Sequence, residues 1–311
     1  MSGEQGDRDV SGEQADRDVS TERAGGAPAT GQPPVQQPAV RLAGVDKRFA
    51  AQGGGGTLAL RGIDLSIAAG EFVSLIGPSG CGKSTLLRIV GALTAPSAGT
   101  VEVNGKPAEQ ARTDRDYGIV FQAPVLFDWR TVEANVRLPL EVMGTSPAER
   151  ERRVSEMLEL VELGDFRRHH PQQLSGGMQQ RAAIARALCF EPALLLMDEP
   201  FGALDEMTRE RLNAEVLRIW AATGTTVIFV THSIPEAVFL STRVVVMSAR
   251  PGRITTIVDV DLPQPRDEQT RETDRYYELV TVVREALRGR AAGEGGGRRV
   301  STRTLAEGGI G

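Results

Sequence analysis

Short, nearly continuous apolar runs alternate along the chain with longer stretches in which apolar residues recur at helical spacing. The runs FVSLIG, YGIVFQ, ALLLMD and TVIFVTH are typical of parallel strands buried on both faces, and VVVMSA is a fifth candidate. Helices are predicted over Lys83 to Leu93, Pro147 to Leu163, Met178 to Leu188 and Glu206 to Thr223. This alternation predicts an α/β fold with a mainly parallel sheet core flanked by helices.

Other segments outside these runs define the domain organisation. VRLAGVDKRF, LRGIDLSI and TVEVNG are predicted as shorter strands of an antiparallel β subdomain within a domain spanning 40–263. A helical lobe is predicted over about 123–189. The extension 264–311 is predicted to form an amphipathic helix near Asp274 to Arg288, followed by a flexible, glycine-rich tail. Residues 1–39 are predicted to be a disordered acidic tail, because they are polar and repeat SGEQGDRDV as SGEQADRDV.

The composition narrows the class of protein. The 311 residues carry a net charge of −5, so no overall basic field attracts the chain to nucleic acid. No apolar run approaches the ~18 residues of a membrane span, and the N-terminus lacks the regions of a signal peptide. The two cysteines, Cys81 and Cys189, are not expected to form a structural disulfide, which fits a reducing cytoplasm.

The segment GPSGCGKST matches the phosphate-binding pattern GxxxxGK[ST] between a strand and a helix. Its backbone N–H groups would surround the phosphates, Lys83 would reach the β and γ phosphates, and the Ser84 hydroxyl would bind Mg²⁺. An ordinary glycine-rich turn would not require Lys-Ser-Thr at this spacing. The phosphate loop consists of Gly77, Pro78, Ser79, Gly80, Cys81, Gly82, Lys83, Ser84 and Thr85.

Three other predicted strands end in polar side chains that suit ATP hydrolysis. In LLLMDEP, Asp198 would support Mg²⁺ through water, and Glu199 would polarise the water that attacks the γ phosphate. Gln122 is a candidate ligand of Mg²⁺ or of the attacking water, and His232 is a candidate contact of the γ phosphate. Open α/β sheets collect their ligands at the carboxyl ends of the strands, which favours a shared site.

The ordered set GPSGCGKST, VFQ, LSGGMQQR, LLLMDEP, GALD and VTH, over Val40 to Asp261, resembles the nucleotide-binding subunits of ATP-binding cassette (ABC) transporters. The resemblance implies a P-loop NTPase domain of the ABC type that packs head to tail with a second copy of itself. The signature segment, Leu174 to Met178, would then face ATP held by the partner copy. Ser175, Gly176 and Gly177 would complete that composite site, with a helix N-terminus directed at the γ phosphate.

The resemblance implies roles for two further residues. Asp205 in GALD would lie near the dimer junction, and Phe49 would stack on adenine, for which the face of its ring suffices. The inserted glycines Gly53 to Gly56 follow this aromatic, and Ser233 stands where the family commonly has Asp after the histidine.

The segments VFQAPVLFDWRTVEANVRLPLEV and THSIPEAVFLSTRVVVMSARPGRI resemble importers of nitrate, sulfonates, taurine and pyrimidine precursors of thiamine. The resemblance implies an ATPase that is peripheral to the cytoplasmic face of the membrane, without a transmembrane segment of its own. Its partners would be transmembrane permease subunits and, indirectly, an external solute-binding protein. Phe127 and Trp129 would either contact the permease or pack within the local core.

Two other functions fit the motifs less well than import. A soluble ABC ATPase acting on nucleic acid or ribosomes usually joins two cassettes or inserts a coiled coil, and neither is present; no nucleic-acid partner is expected. A nucleotide-dependent regulator with little turnover would not require a base at Glu199.

Overall fold

The computed structural model describes residues 37–50, 56–202, 204–289 and 298–300. The disordered tail was predicted for residues 1–39, of which 1–36 lie outside the described residues. Most of the flexible tail predicted after the last helix also lies outside them. The strands are β1 (Val40–Ala50), β2 (Gly56–Ile67), β3 (Phe72–Ile76), β4 (Ala98–Val103), β5 (Lys106–Pro107), β6 (Tyr117–Val120), β7 (Leu194–Asp198), β8 (Thr226–Val230), β9 (Arg243–Met247), β10 (Ile254–Asp259) and β11 (Arg298–Val300). The α-helices are α1 (Lys83–Val90), α2 (Ala108–Thr113), α3 (Val132–Val142), α4 (Pro147–Leu160), α5 (Gly176–Leu188), α6 (Glu206–Thr223), α7 (Ile234–Leu240) and α8 (Asp274–Leu287).

The strands form two sheets. The larger sheet has the order β11-β10-β9-β3-β8-β7-β6, and among the described strands only the β9–β10 pairing in it is antiparallel. The smaller sheet has the order β2-β1-β4-β5 and is antiparallel throughout. The predicted α/β class, with a mainly parallel core and an antiparallel β subdomain, is therefore confirmed.

The larger sheet separates two apolar cores. Alternate residues of β3 point to opposite faces, so Phe72 belongs to one core and Val73 to the other. The Phe72 core is shared with helices α3 to α8, and the Val73 core is shared with α1, α2 and the smaller sheet. Strands β3, β8 and β9 are buried at every position, which explains why they appear in the sequence as continuous apolar runs.

Three helix boundaries differ from the predicted ones by two or three residues. Helices α1 and α4 end three residues early, because the Leu93 and Leu163 backbone N–H groups turn back to the carbonyls of Arg88 and Leu158, both at 2.8 Å. Helix α5 begins two residues earlier than predicted, because the Ser175 side chain caps it. Helices α2, α3 and α7 were not delimited from the sequence, since two of them are shorter than nine residues and α3 contains a proline.

The two cysteines are buried free thiols on different elements. Cys81 lies in the phosphate loop, and Cys189 caps the C-terminal end of α5. Burial raises the pKa of the Cys189 thiol to about 12, so it acts as an uncharged core group. None of the helices in the described part of the chain is both long and apolar enough to traverse a bilayer.

Candidate nucleotide site

The phosphate loop leaves β3 and enters α1, as predicted. Gly82 is at φ 103, and a Cβ built there would lie 2.6 Å from Leu60 Cδ2, so the position requires glycine. The buried Lys83 amine donates a hydrogen bond of 2.9 Å to the Gly77 carbonyl. This loop therefore presents the N-terminus of α1 and a lysine cation at one place, which suits an anion.

The acidic pair lies at the carboxyl end of β7, beside the phosphate loop. The Ser84 hydroxyl donates a hydrogen bond of 2.7 Å to Asp198 Oδ1. Glu199 has the left-handed backbone angle φ 46, and its backbone N–H donates to the Val230 carbonyl at 3.0 Å. The chain therefore turns sharply at the first residue after β7, which separates the two carboxylates.

His232 and Gln122 extend this group along neighbouring strands. His232 Nδ1 lies 3.6 Å from Glu199 Oε2, and its side chain is 57% exposed. Gln122 follows β6, and a Cβ built on Gly202 would lie 3.2 Å from Gln122 Nε2. The ends of β6, β7 and β8 thus bring together the polar side chains predicted from the sequence, with Gln122 close to the segment that follows Glu199.

A cavity of about 390 Å³ adjoins the phosphate loop. Its lining residues are Thr57, Ala59, Ser79, Gly80, Gly82, Lys83, Ser84, Thr85, Glu199 and Arg250. Seven of these were predicted as site residues, and Thr57, Ala59 and Arg250 were not, because each is supplied by a segment distant in sequence. A larger groove of about 670 Å³ lies beside α6 and α8, but none of the predicted site residues lines it.

Phe49, the last residue of the predicted strand VRLAGVDKRF, lies within β1. It is opposite Thr57 of β2 in the strand register, and Thr57 lines the cavity. Cross-strand partners place their side chains on the same face of a sheet, so Phe49 and Thr57 share one face, although Phe49 itself does not line the cavity. The ring is 44% exposed, and Lys47 Nζ lies 4.9 Å from its centroid.

The signature segment is built as a helix start. Ser175 Oγ accepts a hydrogen bond of 3.3 Å from the Met178 backbone N–H, and Ser175 and Gly176 are exposed. A Cβ built on Gly177 would lie 3.4 Å from Thr208 Cγ2, so this segment packs against α6. None of Ser175, Gly176 and Gly177 lines the cavity beside the phosphate loop of the same chain.

Asp205 caps the N-terminus of α6, next to the signature segment. Its Oδ1 accepts a hydrogen bond of 3.0 Å from the Thr208 backbone N–H. This hydrogen bond holds the pKa of the Asp205 carboxyl below its ordinary value. Asp205 is therefore a structural cap within its own chain, on a surface that it shares with the signature segment.

The oxygen donors at the strand ends suit Mg²⁺. The Ser84 hydroxyl, the Asp198 carboxylate and the Gln122 amide are hard oxygen ligands, which Mg²⁺ prefers. Ser84 and Asp198 are already in hydrogen-bond contact at 2.7 Å, so these two side chains fit a shared ion.

A buried carboxyl supports the loop that carries His232. The Thr231 hydroxyl donates a hydrogen bond to Glu236 Oε2, and the Ser233 backbone N–H donates to the Thr231 hydroxyl at 2.9 Å. Ser233 in turn caps α7 by accepting from the Glu236 backbone N–H at 3.4 Å. Burial raises the pKa of the Glu236 carboxyl.

Glu236→Gln is expected to stabilise the protein increasingly as the pH rises. The raised pKa of Glu236 contributes stability that is complete below the ordinary value of 4.5 and is lost as the pH rises through the folded value. Glutamine keeps an acceptor for Thr231 without a charge, so we expect a gain of roughly 1 kcal/mol at pH 8. Thermal unfolding of the variant and the wild type from pH 5 to 8 measures this gain in stability, and Glu159→Gln, at an exposed position, is the control. A gain that does not depend on pH would contradict this account.

Comparison with known proteins agrees with this geometry. Residues 60–202 match the family model described as ABC transporter. The chain is 41% identical over 259 residues to the aliphatic sulfonates import ATP-binding protein SsuB of Bacillus subtilis, covering 83% of this chain and 99% of that protein. It is 42% identical over 248 residues to the nitrate import ATP-binding protein NrtD of Synechocystis sp., covering 77% of this chain and 92% of that protein.

A solved structure gives the same result for the fold. A dimeric ATP-binding cassette in a post-hydrolysis state, bound to ADP and Pi, matches with a TM-score of 0.62 and 36% identity. The match covers 71% of this chain and 98% of that one. The fold and the site define an ABC-type ATPase. The chain belongs to the family of ABC transporter ATP-binding proteins.

Proposed function

We propose that this chain is the ATP-hydrolysing subunit of a membrane importer for small compounds such as nitrate, sulfonate, taurine or a pyrimidine precursor. The observation that carries the proposal is the cavity that joins Lys83, Ser84 and Glu199, while the signature segment of the same chain lies outside it. Similarity to the sulfonate and nitrate import proteins supports the importer class.

In the proposed reaction, water attacks the γ phosphorus of ATP while the bond to the bridging oxygen breaks and ADP leaves. Lys83 holds the β and γ phosphates, and Glu199 orients the water and accepts its proton. His232, 3.6 Å from Glu199, contacts the γ phosphate. Mg²⁺, bound by Ser84, Asp198 and Gln122, would supply charge neutralisation of the phosphate oxygens.

The proposed conformational change that drives transport is the closure of a head-to-tail dimer. Ser175, Gly176 and Gly177 of one copy complete the site around ATP held by the phosphate loop of the other copy. ATP contacts both halves only in the closed state, so its binding favours closure and its hydrolysis permits opening. Phe49 stacks on adenine, and Asp205 lies at the junction of the two copies.

The proposed place of the chain is at the cytoplasmic face of the membrane, against transmembrane permease subunits and indirectly linked to an external solute-binding protein. Affinity purification from detergent-solubilised native membranes, followed by mass spectrometry, tests this placement. Recovery with a protein of several membrane spans is the expected result. Recovery with ribosomal proteins or nucleic acid would favour the soluble alternative and contradict import.

Trp129→Ala is expected to weaken the association with the permease about tenfold while ATP hydrolysis by the isolated chain is unchanged. Trp129 is 75% exposed, so it does not pack in the local core, and its ring centroid lies 4.8 Å from that of Phe127. Tryptophan is enriched among the few interface residues whose truncation costs about 2 kcal/mol or more, so a loss of roughly tenfold in affinity is expected for a Trp in the interface. The recovery of permease with the variant and with the wild type measures this contribution.

Tyr277→Ala is the matched control, because Tyr277 is an aromatic residue that is 58% exposed on α8. Loss of the permease with Tyr277→Ala, but not with Trp129→Ala, would place the docking surface elsewhere on the chain.

A further inference from the structure

The segment SARPGR, which joins β9 to β10, is packed against the candidate nucleotide site. The Gly252 backbone N–H donates a hydrogen bond of 2.8 Å to the Ala59 carbonyl, and the Arg61 backbone N–H donates to the Gly252 carbonyl at 3.0 Å. A Cβ built on Gly252 would lie 2.0 Å from the Cys81 carbonyl oxygen, so only glycine permits this approach. The β9–β10 loop therefore rests on both β2 and the phosphate loop.

The loop is also held internally. Ser248 Oγ accepts a hydrogen bond of 3.1 Å from the Arg253 backbone N–H and donates one of 3.2 Å to the Pro251 carbonyl. These hydrogen bonds hold the loop closed around Arg250. The position of the loop backbone therefore does not depend on the Arg250 side chain.

Arg250 directs its guanidinium at the phosphate loop. Its Nε donates a hydrogen bond of 3.2 Å to the Gly80 carbonyl, and Nη2 lies 2.7 Å from the position that a Cβ on Gly80 would occupy. The side chain lines the same cavity as Lys83 and Ser84. The bond to Gly80 uses one of the five guanidinium N–H groups, which leaves donors for a ligand in that cavity.

The Arg250 guanidinium is not held in an ion pair. Among the residues that the structure describes, no carboxylate lies within ion-pair distance of its guanidinium. The same cavity is lined by the buried Lys83 amine and by the Glu199 carboxylate, so two cations and one carboxylate face it. Guanidinium groups form strong, charge-assisted hydrogen bonds with phosphate oxygens, often two at a time.

We propose that Arg250 contacts the phosphate chain of the nucleotide held by the phosphate loop, as a second cation opposite Lys83. This inference rests on the proposed ATP site and adds a ligand contact from the β9–β10 loop. The loop then has a defined role: it brings a guanidinium to the site from a segment outside the phosphate, acidic and signature motifs.

The affinity for ATP tests the proposal, measured by titration calorimetry with Mg²⁺-ATP in a Glu199→Gln background to prevent turnover. Arg250→Gln is expected to weaken binding roughly tenfold, the effect of losing a charge-assisted hydrogen bond. Arg250→Lys should retain most of the affinity, because it retains the cation. The difference in affinity between the Arg250→Gln protein and its parent should shrink at high salt, because salt screens the charge.

Two further variants distinguish a failure of the proposed Arg250 contact from a failure of the proposed ATP site. Arg253→Gln changes an exposed arginine of the same loop and should bind ATP like the wild type. Lys83→Ala should lose ATP binding whether or not Arg250 contributes. If Lys83→Ala binds poorly and Arg250→Gln binds normally, the Arg250 contact is wrong and the ATP site stands. If the wild type itself does not bind ATP, the proposed function fails.

Two other results would also overturn the contact. If Arg250→Gln has a lower melting temperature and Arg250→Lys does not restore it, then Arg250 stabilises the loop rather than contacting the nucleotide. Normal ATP affinity together with impaired ATP-driven dimerisation would place its contact on the partner copy.

Discussion

Glu199→Gln is expected to lower the rate of ATP hydrolysis by roughly 10²–10⁴-fold, the usual contribution of a positioned general base. Glutamine preserves the size of the side chain but cannot accept the proton of the attacking water. ATP binding should survive, because Lys83 and the phosphate loop are unchanged. Phosphate release measures turnover, and calorimetry on the same protein measures binding.

The exposed Glu159→Gln on α4 is the control for this variant and should hydrolyse ATP at the wild-type rate. The backbone at Glu199 is left-handed, at φ 46, so a conservative change of side chain is preferable to truncation there. Near-normal hydrolysis by Glu199→Gln would remove Glu199 from the role of base and would favour a different acceptor for the proton.

Ser175→Arg is expected to weaken ATP-driven dimerisation by roughly 100-fold while the monomer still binds ATP. Ser175 is exposed at the start of α5, where the proposed partner phosphate docks, and a bulky side chain there would overlap with it. Light scattering with ATP in the Glu199→Gln background measures the dimer, and calorimetry measures monomer binding.

Ser146→Arg is a matched control, because Ser146 is an exposed cap whose Oγ accepts from the Glu149 backbone N–H at 3.3 Å. Both variants lose a helix cap worth about 1 kcal/mol, so the two proteins should lose similar stability. Only Ser175→Arg should lose the dimer. Unchanged dimerisation of Ser175→Arg would contradict a site composed of two copies.

The local structure around the candidate site residues was predicted well where it depends on contiguous residues. The phosphate loop lies between β3 and α1, and Asp198 and Glu199 lie at the carboxyl end of β7. Each occupies one short segment, so backbone geometry and side-chain order are both visible in it. The helix ends near Leu93 and Leu163 were predicted too late, because the apolar period continues through the residues that turn the chain back. Phe49 is the last residue of the predicted strand VRLAGVDKRF, but its pairing with Thr57 of β2 is visible only in the tertiary structure.

The amino-acid sequence by itself determined the α/β class, the family resemblance and the position of the phosphate-loop motif, because buried parallel strands and anion-binding loops have local patterns. Only the tertiary structure decided what completes the cavity. Gly80 and Arg250 are 170 positions apart, and they meet because the β9–β10 loop docks on β2 and on the phosphate loop. Such a contact depends on sheet order and loop packing rather than on any local period. The packing of the signature segment against α6, outside the cavity of its own chain, was decided in the same way.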